Sequence, residues 1–146
     1  MQIANGTLVA VCDGAKMLFL RNEGDAAHPN LAVERKREQV NPANSEQKAN
    51  RSGHVGQSGT PGGSSYQDTD FHQLEEDRFA AQTADLLKTR ALRNDYDSLI
   101  VVAAPKTLGE IRKHYHSEVE KRLTGEISKD LTGHEISEIE QIIANA

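Results

Sequence analysis

With 146 residues, a 36% hydrophobic fraction and no tryptophan, the chain suits one domain whose core is built from Leu, Ile, Val and Ala. A formal net charge of −5 argues against generic coating of nucleic acid, which depends on neutralising phosphates, although a local basic patch could still dock. The one cysteine, Cys12, excludes an intramolecular disulfide and a cysteine-based zinc site. It sits in an apolar run, which suits a buried small hydrophobe in a reducing compartment.

The N-terminus lacks the basic start and cleavage site of a signal peptide, and its apolar run is too short to span a bilayer. A cytoplasmic location is the expectation. Residues 7–12 are almost wholly apolar, Asp13-Gly14 is a turn signal, and 17–20 is apolar again. This predicts a β-hairpin in which Asp-Gly accepts the positive φ of a tight turn. Residues 22–30 read as a polar loop. Residues 31–40 read as an edge strand, protected from foreign pairing by Glu34, Arg35, Lys36, Arg37 and Glu38.

Residues 41–67 are rich in Asn, Ser, Gly, Gln and Pro, with almost no large apolar group. Such a segment cannot offset its ordering entropy by burial, and predicts one long flexible loop inside a single domain spanning 1–146. From 70 to 93, Phe79, Ala80, Thr83, Ala84, Leu87 and Ala91 recur at helical spacing. The acids lie early and the bases late, as a helix dipole favours.

The run 97–112, DSLIVVAAPKTLGEIR, predicts a buried strand at 98–104 feeding a helix across a proline corner. In open α/β sheets, ligands gather beyond the carboxyl ends of strands, so this corner is a candidate edge. Thr107-x-x-Glu110 has the capping-box pattern, and Ser117-x-x-Glu120 suggests a second cap, dividing the helical stretch in two. A short strand is expected at 127–131. Thr132-Gly133-His134-Glu135 then repeats the capping pattern before a helix with Ile136, Ile139, Ile142 and Ile143 on its face. The expected class is α/β, a mixed central sheet starting with a β-hairpin, with helices on both faces.

Four pieces in this order, VAVCDGAKMLFL at 9–20, HQLEEDRFAAQTADLL at 72–87, LIVVAAPKTLGEIRKH at 99–114 and EISKDLTGHEISEI at 126–139, resemble the bacterial host-attachment protein family. That family is related to the central domain of archaeal and eukaryotic class-1 peptide-chain release factors and of Pelota. The resemblance implies a ribonuclease-H-like fold, a link to translation and a role in attachment to host cells. The release-factor domain promotes ester hydrolysis of peptidyl-tRNA through Gly-Gly-Gln. Here Gly56-Gln57 follows Val55, and Gly62-Gly63 precedes Ser64, so the tripeptide is absent and peptide release is not expected.

The expected function is therefore a non-catalytic binding module with the ribosome or ribosomal RNA as partner. It would have no small-molecule cofactor, no metal and no membrane span. Arg51, His54 and Gln57 on the loop, with Lys106, Arg112 and Lys113 near the corner, are the candidate binding residues. Lys121 and Arg122 extend the basic cluster, though Glu110, Glu118 and Glu120 balance it as on a solvated helix face.

The alternative is a divalent-metal-dependent nuclease. Asp13 at the end of the first strand, with Asp77 and Asp130, would supply carboxylates to clamp a phosphate between cations. The six histidines show no four-residue helical spacing of a zinc clamp.

Overall fold

A computed structural model describes residues 1–39 and 61–146, with side chains described at 1–39 and 70–146. The elements are β1 Leu8–Cys12, β2 Lys16–Asn22, β3 Leu31–Glu38, α1 Pro61–Leu92, β4 Leu99–Ala103, α2 Pro105–Arg112, α3 Ser117–Arg122, β5 Leu123–Ser128 and α4 Ile136–Ala144. The strands form one mixed sheet of order β3-β2-β1-β4-β5. The pairs β1–β2 and β2–β3 are antiparallel, and β1–β4 and β4–β5 are parallel.

All five residues of both β1 and β4 are buried. Strands covered on both faces read as unbroken apolar runs, which is why these two stand out in the sequence. On one face Ala10, Cys12, Phe19 and Val101 pack with Phe79 and Leu87 of α1, Leu108 and Ile111 of α2, and Val119 of α3. On the other, Val9, Val11, Ile100 and Val102 meet Ile3, Leu131 and the Ile139 and Ile143 stripe of α4. Helices thus cover both faces, and the expected α/β class is found. Cys12 is fully buried, and burial pushes its thiol well above the usual range.

Several local expectations are corrected. The helix expected from residue 70 begins at Pro61, so residues 61–67 belong to α1 rather than to a loop. Proline is well placed in a first helical turn because its missing N–H is not needed there, and a helix nucleated by its packed half extends backwards cheaply. Residues 40–60, with Arg51, His54 and Gln57, lie outside the described residues.

The hairpin turn does not use a positive φ at Gly14; among described glycines only Gly6 has one, at 81°. Instead the Asp13 carboxylate accepts from the Ala15 and Lys16 amides at 2.7 and 2.6 Å. Gly14 lies close under the exposed Glu76 side chain: a Cβ there would come within 2.7 Å of it, so Glu76 would have to shift.

Neither expected capping box around α2 and α4 forms. Ala104 is the N-cap of α2, Pro105 opens the helix and Thr107 lies inside it. Glu135 occupies the N-cap of α4 and makes no side-chain cap bond. The stretch after α2 does divide into a second helix. Its cap is His116, whose Nδ1 accepts from the Glu118 amide at 3.0 Å, rather than Ser117. The last strand lies at Leu123–Ser128 rather than 127–131, because pairing with β4 overrides the helical spacing that reaches Leu123.

Candidate functional site

From β1 the chain turns to β2 on one side; from β4 it passes through two helices to β5 on the other. The carboxyl ends of these adjacent parallel strands therefore border a crevice where the connections diverge, the usual ligand position in an open α/β sheet. A cleft of about 490 Å³ lies there, lined by Asp13, Gly14, Ala15, Glu76, Ala104, Pro105, Lys106, Thr107 and Asp130. The strand–proline–helix corner singled out in the sequence forms one wall.

Asp13 is held firmly. One carboxylate oxygen takes the two turn amides, and the other accepts from the Thr132 hydroxyl at 2.8 Å. The same hydroxyl lies 2.8 Å from Asp130 Oδ1, which also accepts from the Thr132 amide at 3.2 Å. A hydroxyl carries one proton, so Thr132 donates to one carboxylate at a time and keeps the two acids beside each other. This work replaces the capping role expected of Thr132.

Asp77 does not join them. It accepts from Gln73 Nε2 at 2.9 Å and lines a small adjoining recess between α1 and α2, which shares Glu76, Lys106 and Thr107 with the cleft. Its neighbour Glu76 reaches the cleft instead, lying over Gly14. Among the described residues, no three His, Cys, Asp or Glu side chains are gathered closely enough to hold a metal ion.

The basic candidates part company. Arg112 is paired with Glu126 through Nε and Nη2, at 3.1 and 3.0 Å to Oε1, and Tyr115 donates to the same carboxylate at 2.8 Å. Burial pushes Glu126 up, but the Arg112 and Tyr115 bonds outweigh it and leave the carboxyl below its ordinary value. Burial, reinforced by Glu126, raises the Tyr115 phenol. Lys113 bonds Glu110 at 3.0 Å, which lowers the Glu110 carboxyl. Lys121 and Arg122 both meet Glu118. Lys106 is exposed and meets no partner among the described residues.

Sequence reasoning missed Glu76 and Thr107 as cleft residues, and Thr132 as the residue that holds the cleft's Asp13 and Asp130 together. Glu76 belongs to an acidic run that gives no sign of which member turns inward. The two threonines were hidden by capping patterns that their hydroxyls do not serve.

The family model described as bacterial archaeo-eukaryotic release factor family 12 matches residues 6–143, a span that holds all five strands and the whole cleft. The chain belongs to that family. The match carries the release-factor relationship drawn from the four sequence pieces; the host-attachment name is not part of it. No curated protein matches the chain. This family 12 member has no Gly-Gly-Gln tripeptide in its sequence. No helix among the described residues is long and apolar enough to cross a membrane.

Proposed function

We propose that this family 12 protein is a non-catalytic, release-factor-like binding module that acts in the cytoplasm in association with the ribosome. The release-factor family match across residues 6–143 carries the reading. The missing Gly-Gly-Gln favours binding over peptide release. Of the three basic candidates near the corner, Lys106 is the one without an ion pair among the described residues, since Arg112 and Lys113 are engaged by Glu126 and Glu110. Arg51, His54 and Gln57, which lie outside the described residues, complete the proposed contact set. The family match carries no role in attachment to host cells.

Sucrose-gradient fractionation of the untagged protein across growth states is the direct test. Co-migration with ribosomal particles in at least one state is expected. Confinement to the top fractions in every state removes the ribosomal partner. Incubation with ribosomes carrying peptidyl-tRNA should release no peptide.

A metal-dependent nuclease is the second reading, favoured only by the meeting of Asp13 and Asp130 on Thr132. It requires Mg²⁺- or Mn²⁺-dependent RNA cleavage that Asp13→Asn abolishes. Asp77, turned to Gln73, offers that reading no support.

A further inference from the structure

The wall of the cleft formed by α2 carries donors that nothing in the described protein uses. Pro105 has no N–H, and the first amides of a helix have no intrahelical acceptor. The Lys106 and Thr107 amides therefore face outward, with no side-chain cap on this eight-residue helix. Thr107 lines the cleft and is only 9% exposed, yet its hydroxyl finds no hydrogen-bond partner among the described residues. A buried hydroxyl left unsatisfied is costly, and such groups in native structures need a reason. Lys106 adds an ammonium at the same helix end that is unpaired among the described residues. Amides, hydroxyl and ammonium together make a seat for an anionic group.

The rest of the cleft has the opposite sign. Asp13, Asp130 and Glu76 line it, and Glu76 too has no partner among the described residues. Carboxylates bordering a cleft of this size repel a bare anion, whereas a ligand with a cationic end satisfies both walls. A volume of about 490 Å³ suits a small molecule.

We propose that the cleft binds a small zwitterion. Its phosphate or carboxylate seats on the α2 amides, the Thr107 hydroxyl and Lys106, and its amine faces Glu76 and Asp130. This site does not depend on ribosome association.

The test is a ¹⁵N–¹H amide titration of the full chain with phosphoethanolamine, β-alanine, inorganic phosphate and ethylamine. At least one zwitterion should shift the Lys106 and Thr107 amides saturably, at a concentration about tenfold or more below either single-charge probe, the difference expected for one added charged contact. Tighter binding of phosphoethanolamine identifies a phosphate head, and tighter binding of β-alanine a carboxylate. The near-isosteric Thr107→Val and the exposed Lys106→Ala should each weaken binding about tenfold while the remaining amide spectrum is preserved. The proposal is overturned if neither zwitterion moves these amides, if phosphate alone binds as tightly, or if both variants bind as the parent chain does.

Discussion

The two ends of the central strands treat charge in opposite ways. At the start of β1 and β4, Arg21 donates to Glu34 at 2.8 Å and to Asp95 at 2.9 Å, and Arg90 reaches the same Glu34 at 2.6 Å. The Arg90 guanidinium also lies over the Phe19 ring, 4.9 Å from its centroid. A β-bulge makes this possible: Phe19 pairs with Arg35 and Leu20 with Val33, which leaves Glu34 as the extra residue. Every charge in that cluster has a partner. At the opposite ends of the same strands, Lys106 and Glu76 line one cleft without partners among the described residues, and the Thr107 hydroxyl is buried without one. A fold that can close a four-residue network at one end has left donors and acceptors open at the other, the pattern expected where binding rather than stability has shaped the residues.

The largest effect should come from breaking the closed end. Arg21→Met removes a guanidinium whose side chain is only 15% exposed and leaves two carboxylates short of a partner. Urea denaturation should show a loss of about 2 kcal/mol, below the figure for a fully buried pair because Glu34 and Asp95 remain partly solvated. At the open end the sign reverses. Thr107→Val replaces an unsatisfied buried hydroxyl by a methyl group and should stabilise the protein by about 1 kcal/mol. A destabilisation of similar size would show that the hydroxyl serves the fold.

Acid pH probes the closed end more gently. The Arg21 hydrogen bond, with help from Arg90, holds the Glu34 carboxyl below its ordinary value despite partial burial. A carboxyl lowered on folding stabilises the native state fully above its unfolded pKa, about 4.3, and loses that contribution as pH falls through the lower folded value. Stability measured downwards from pH 5 should therefore fall less steeply in Glu34→Gln than in the parent chain. Lys106→Ala is the smallest change. An exposed lysine with no partner among the described residues should alter stability by less than about 0.5 kcal/mol, so any loss of ligand binding in that variant reports on the cleft.

What could be read in advance followed local spacing. The unbroken apolar runs of β1 and β4, the stripe of Phe79, Ala84 and Leu87, and the isoleucines of α4 each declare their element through burial that repeats along the chain. The capping patterns misled because a capping box works only when its first residue stands at the N-cap, and chain packing decides that position. At α2 the end of β4 and Pro105 placed the cap at Ala104, which carried Thr107 into the helix. Before α4 the Thr132 hydroxyl found Asp13, 119 residues earlier in the chain.

By itself, the sequence determined the α/β class, the buried strands, the covered sheet and the absence of Gly-Gly-Gln, since each depends on residue type and short-range periodicity. Only the tertiary structure decided that Glu76 rather than Asp77 enters the cleft, that Asp13 and Asp130 share a threonine, and that Glu34 bulges out to meet two arginines. These contacts join side chains far apart along the chain. Which neighbour is available is set by how strands and helices are stacked, not by the residues beside them in sequence.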